Sequence, residues 1–116
     1  MTTLFVLSGS PQPIANVDLT TSSRTTLLSN NKQGETWKVG DIGATNDGAS
    51  NKLLTVEISP DNGSSYKVLW KGTITANSGN ALDGLPRPII LPHNYILAVT
   101  AETGNFLHVN AAYVVE

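Results

Sequence analysis

The sequence predicts an all-β protein: a single antiparallel β-sandwich of seven to eight strands with an extended N-terminal arm. Three observations carry that prediction. Apolar and polar residues alternate with a period of two through most of the chain, which puts each apolar set on one face of a strand. Clusters of Gly, Asn, Asp and Pro recur at roughly 8–12 residue spacing, as turns between short strands do. No long window carries a helical period. Immunoglobulin-like and jelly-roll sandwiches both satisfy this spacing, which does not separate them.

The elements follow in chain order. Leu4, Phe5, Val6 and Leu7 are apolar at every position, so a strand there must be covered on both faces. Residues 8–23 contain Pro11, Pro13 and many small polar side chains and read as an extended arm, able to span up to about 50 Å. The expected division is therefore residues 1–24 as N-terminal strand and arm, and 25–116 as the sandwich. Residues 25–29 form a short strand ended by Asn30-Asn31-Lys32-Gln33-Gly34. Residues 35–43 hold Trp37 and Val39 on one face, with Ile42 out of phase; a bulge at Gly40 returns Ile42 to the core. Asn46-Asp47-Gly48 makes the next turn.

Residues 52–59 point Leu54, Val56 and Ile58 inward. Pro60-Asp61-Asn62-Gly63 is a hairpin signal, because Asp, Asn and Gly tolerate positive φ. Residues 65–71 then place Tyr66, Val68 and Trp70 on one face, with 73–76 as a continuation and 77–84 as loop. Pro86 and Pro88 hold the chain extended before a short strand at 89–91, stopped by Pro92. Tyr95, Leu97, Val99 and Ala101 share one parity, and Leu107, Val109, Ala111 and Tyr113 share another, around a polar break at 102–105. These last two segments read as an antiparallel hairpin with one buried face. Parity thus predicts a core of Trp37, Leu54, Val56, Ile58, Tyr66, Val68, Trp70, Leu97, Val99, Leu107, Val109 and Tyr113.

Composition narrows the function classes. Charged residues are 14% of 116, against about 25% in an average domain, and Ser, Thr and Asn take their place. A net charge of −2, with seven basic residues scattered between Arg24 and Arg87, argues against direct nucleic-acid binding. There is no cysteine, hence no disulfide framework, thiolate metal site or cysteine nucleophile. No stretch approaches the roughly 18 apolar residues of a membrane helix. The first seven residues lack the basic start of a secretory leader, so synthesis in the cytoplasm is expected, with no membrane partner.

Catalytic signals are thin. His93 lies in a Pro92-His93-Asn94 turn, and His108 has the parity opposite to the apolar set of its strand. Neither belongs to a zinc-ligand pair, and no serine sits in a nucleophile elbow. Asp61-Asn62-Gly63-Ser64 and Asn46-Asp47-Gly48 carry oxygens suited to calcium but lack the full alternating-carboxylate loop, and they read as turns. Asn62-Gly63-Ser64 is formally a glycosylation sequon, without meaning outside a secretory route. Trp37, Tyr66, Trp70 and Tyr113 would suit a sugar-stacking platform if exposed, but their phase assigns them to the core. The expectation is no enzyme, no cofactor and no metal.

From Thr25 onward the order of features resembles a family of small β-sandwich proteins of bacteriophage virions. The likeness runs through Thr26-Leu27-Leu28, the Trp37 strand, the central strand 54–58 and the Pro60-Asp61-Asn62-Gly63 hairpin. It continues through Ile89-Ile90-Leu91-Pro92, Tyr95-Ile96-Leu97-Ala98-Val99, Thr103-Gly104-Asn105 and the last strand, 107–115. The resemblance implies a non-enzymatic capsid decoration or cement protein, or a neck, tail or fibre component, located in the virion. Its partners would be copies of itself and a major capsid, neck or tail protein. A carbohydrate-binding module used in host recognition is the competing expectation. The resemblance transfers no site residues; the apolar run Leu4, Phe5, Val6 and Leu7 is the expected interface, because burying it against a neighbour removes an exposed two-sided strand, the even alternative being that it folds back onto its own sandwich.

Overall fold

The computed structural model describes residues 9–116. The expected interface of Leu4, Phe5, Val6 and Leu7 lies outside the described residues. Ten strands and no helix are found among the described residues: β1 (Ser10–Pro11), β2 (Ala15–Leu19), β3 (Thr25–Ser29), β4 (Trp37–Asn46), β5 (Lys52–Ser59), β6 (Lys67–Ile74), β7 (Ser78–Ala81), β8 (Ile89–Leu91), β9 (Ile96–Ala101) and β10 (Leu107–Val115).

They form two antiparallel sheets packed face to face. In the first, β10 and β4 run side by side; β1 and β2 lie end to end along the outer edge of β10, and β8 and β7 along the outer edge of β4. The second has the order β3-β9-β5-β6. Pairing is nested: β2 with β10, β3 with β9, β4 with β7 and β8, β5 with β6. This is one antiparallel ribbon closed at the β5–β6 hairpin, then rolled so that β10 also meets β4 and β9 meets β5. Of the two expected architectures this is the jelly roll. An immunoglobulin order would set the first strands beside each other in one sheet, whereas β2 and β3 here lie in opposite sheets.

The core fills the space between the layers with Leu19, Val39, Leu54, Val56, Leu91, Leu97, Val99, Leu107 and Val109, all nearly inaccessible. Val39 and Ile42 are both buried, and the register of β4 against β10 shifts between Ala111 and Tyr113, so the extra residue at Gly40–Asp41 restores Ile42 to the core as the sequence predicts. The Asp61-Asn62-Gly63 turn forms as expected, with positive φ at Asn62 and Gly63.

Four expectations are corrected. First, the segment read as an extended arm, residues 8–23, is over much of its described part edge structure of the first sheet. Ala15–Leu19 pairs with Leu107 through Ala111, and Leu19 is buried in the core. Two prolines and small polar residues disguise a strand whose inward set is only Ala15, Val17 and Leu19. Second, Ser78–Ala81, expected as loop, pairs with Gly43 through Asn46. Its residues have little strand propensity, and the long partner β4 supplies the template. These additions, β1, β2 and β7, raise the strand number above the seven to eight expected.

Third, β9 and β10 are not a hairpin. β9 pairs with β3 and β5, β10 with β4, β2 and β1, and the two strands face each other across the core. Parity specifies a strand's buried face but not its lateral neighbour. The connection changes layer within four residues: the Glu102 amide donates to the Leu53 carbonyl, and the Asn105 amide to the Leu19 carbonyl. Gly104 permits this crossing, since a Cβ there would lie 2.4 Å from the Thr20 carbonyl oxygen.

Fourth, Val68 is not a core residue; it is 59% exposed. Trp70 faces Val56, but Val68 faces Glu57, because Leu69 is the extra residue of a bulge in β6. That one insertion turns Val68 onto the outer face and leaves Leu69 to pack against the core. Trp37, Ile58, Tyr66, Trp70 and Tyr113 are only partly buried, and all of these except Tyr66 pack against the core cluster.

Candidate functional site

Two places on the described surface bring chemistry-bearing side chains together. The first is a cleft of about 500 Å³ where the edges β6 and β7 of the two sheets approach, lined by Trp70, Thr73, Ile74, Asn80, Ala81, Leu82 and Asp83. The Trp70 indole N–H donates to the Asp83 carbonyl oxygen at 2.6 Å and so ties the cleft's two walls together. Gly72 makes room for the ring: a Cβ there would stand 2.6 Å from Trp70 Cη2. Ile74 and Leu82 are buried, while Thr73, Asn80 and Asp83 stay exposed. The cleft therefore combines a half-buried aromatic with amide, hydroxyl and carboxylate groups.

The second is a row of Asp18, His108 and Asp47 on the outer face of the first sheet. Asp18 is the direct cross-strand partner of His108, and Asp47 follows the end of β4. His108 Nδ1 lies 2.7 Å from Asp18 Oδ1 and Nε2 lies 2.9 Å from Asp47 Oδ2. The hydrogen bond with Asp18, then that with Asp47, holds the imidazole above its ordinary value of 6.5. The turn bearing Asp47 is pegged from inside by Asn46, fully buried: its amide donates to the Ser50 and Ile74 carbonyls and its Oδ1 accepts from the Gly48 N–H. A loop signal in the sequence is thus a buried, satisfied peg.

The other sequence candidates have structural roles. Asp61 Oδ1 accepts from the Ser59 hydroxyl and the Ser65 N–H, and Oδ2 from the Ser65 hydroxyl, so its oxygens are committed to the hairpin turn. Those bonds, that to the Ser65 hydroxyl foremost, hold the carboxyl below its usual 3.8. His93 is exposed in the turn between β8 and β9. The Trp37 indole donates to Glu35 Oε1 at 3.0 Å, and its ring lies 5.3 Å from that of Tyr113. Arg24 lies 3.8 Å above the Tyr66 ring and forks onto both Glu57 oxygens at 3.1 Å. Its guanidinium is held more basic by that carboxylate. No group of three metal-ligating side chains suited to an ion occurs among the described residues. Sequence reading missed the Asp18–His108–Asp47 row because its members lie 90 and 61 positions apart; the one available signal was the outward parity of His108.

No family model matches this chain, and no curated protein matches it in sequence. Solved structures do share its fold. A chain of a T13 IBDV viral particle superposes with TM-score 0.52 at 13% identity, over 92% of this chain and 32% of that one. The CBM22-1–GH10 modules of a Clostridium thermocellum endo-1,4-beta-D-xylanase, complexed with xylohexaose, superpose with TM-score 0.51 at 9% identity, over 87% of this chain and 24% of theirs. A pentameric capsid protein from metagenomic phage sequences reaches TM-score 0.43 at 16% identity, over 87% of this chain and 58% of that one. The chain spans a third or less of the first two, and at these identities the likeness is one of fold.

Proposed function

We propose that this chain is a non-enzymatic structural component of a bacteriophage particle, acting as a decoration or cement protein that stabilises the assembled head. The observation that carries this reading is the rolled-ribbon sandwich itself, with its likeness across 92% of the chain to a chain of a viral particle. The jelly roll is a recurrent capsid architecture, although it also serves lectins and enzymes, so the surface must supply the rest. That surface is poor in charge and rich in hydroxyls and amides, suited to repeated contact with other protein copies. Its partners are copies of itself and a major capsid protein, with Leu4, Phe5, Val6 and Leu7 as the contact segment. A place in the neck, tail or fibre uses the same properties.

Purified protein mixed with particles that lack it should co-sediment at a fixed ratio of copies and raise the particles' resistance to heat. Deleting residues 1–8 should leave a folded domain that no longer binds. A full-length protein that fails to bind any head, neck or tail assembly overturns the proposal.

A second reading, carbohydrate binding in host recognition, is favoured by one observation, the half-buried Trp70 in the cleft beside Thr73, Asn80 and Asp83. A xylan-binding or glycan-array signal abolished by Trp70→Ala would select it.

A further inference from the structure

The row on the first sheet sets a requirement that only one protonation state meets. A neutral imidazole has one N–H and one lone pair, and ionised carboxylates only accept. Both ring nitrogens of His108 stand within hydrogen-bond distance of carboxylate oxygens. Both bonds can form only when the ring is an imidazolium; neutral, it turns a lone pair toward one of the two acids. Among the described residues the charged groups facing the ring are Asp18 from β2 and Asp47 from the turn after β4. Its remaining cross-strand partner, Thr45 in β4, is uncharged.

The two acids are not held equally. Asp47 belongs to a turn pegged by buried Asn46, and its own N–H donates to the Phe106 carbonyl. Asp18 sits in β2, a five-residue strand that among the described residues pairs on one side only, with its side chain 73% exposed. We infer that Asp18, His108 and Asp47 form a proton-dependent latch fastening β2 onto the first sheet, closed with the imidazole charged and open with it neutral. The upward shift of the ring's titration agrees with this direction, so the latch opens as pH rises through the value held above 6.5. The latch acts on β2, since β1 is paired separately with Val114 and Val115 of β10, and it does not rest on the virion reading.

Amide hydrogen exchange and imidazole titration, both by NMR on the full chain, test it. After correction for intrinsic rates, protection of Val17 and Leu19 should fall severalfold as pH passes the His108 midpoint, while amides in β5 stay unchanged. In the His108→Gln variant that fall should vanish, and Asp18→Asn or Asp47→Asn should each lower the midpoint toward its ordinary value. These two exposed positions keep the test available if His108→Gln does not fold. Unchanged β2 protection across the titration, or an unmoved midpoint in both Asn variants, overturns the latch.

Discussion

At the scale of single residues, stability rests on a few fully enclosed side chains and a few buried polar pegs. Leu97 has no accessible surface and lies between the sheets. Leu97→Ala removes its contacts and leaves a cavity, so chemical denaturation should show a loss of about 2–5 kcal/mol. Asn30 is buried as deeply, and its amide donates to the Glu35 and Leu91 carbonyls at 2.9 Å. Asn30→Ala strands those acceptors and should cost about 1–3 kcal/mol, whereas the exposed neighbour Asn31 should tolerate the same change. Titration has a sign here as well. Partnership raises the folded value of His108 above its unfolded one, so its contribution is complete below 6.5 and is lost as pH rises through the raised value. Melting temperatures compared with those of His108→Gln should therefore converge on the alkaline side.

At the scale of elements, β6 shows how one inserted residue reverses what alternation predicts. The bulge at Leu69 turns Val68 outward beside Glu57 and leaves Trp70 inward opposite Val56. Val68→Thr should change stability by no more than about 0.5 kcal/mol. Trp70→Ala should cost more than about 1 kcal/mol, since the ring packs on the core and bonds across the sheets. Equal losses at the two positions, measured under one denaturant series, would restore the unbulged strand. The bulge also suits an edge: it breaks the ladder that a stray strand would add to, and Lys67 and Lys71 flank it. At Gly40 the same device was legible, because a glycine marked the place and Ile42 fell out of phase. Around Leu69 no glycine and no phase error betrayed it.

At the scale of the whole molecule, the nested ribbon makes most contacts non-local. Ala15 pairs with Ala111, and Thr25 with Val99, so the sheets close only after long loops are ordered. Refolding should accordingly fall in the milliseconds-to-seconds range of β-rich topologies, observable by stopped-flow Trp fluorescence. The tight Asp61 turn and its β5–β6 hairpin form the one long local pairing among the described residues, and they sit at the ribbon's closed end. Replacing Asp61 by Ala should slow folding more than Glu102→Ala, which removes an exposed acceptor of the Leu53 N–H in a layer crossing. Equal folding rates would remove the hairpin from the folding nucleus.

The sequence by itself determined the class of fold, the inward-facing sets of β4, β5, β9 and β10, the Gly40 bulge and the Asp61 hairpin. Each depends on residues a few positions apart: a period of two, a glycine, or a turn whose φ values only certain side chains accept. Tertiary structure alone decided that β9 and β10 oppose each other across the core, that Ala15–Leu19 and Ser78–Ala81 are strands, and that Asp18, His108 and Asp47 meet. The reason is that parity states which face is apolar and leaves the neighbour open. Neighbours are chosen when the ribbon rolls, by burial summed over both sheets, and that sum is a property of the whole chain.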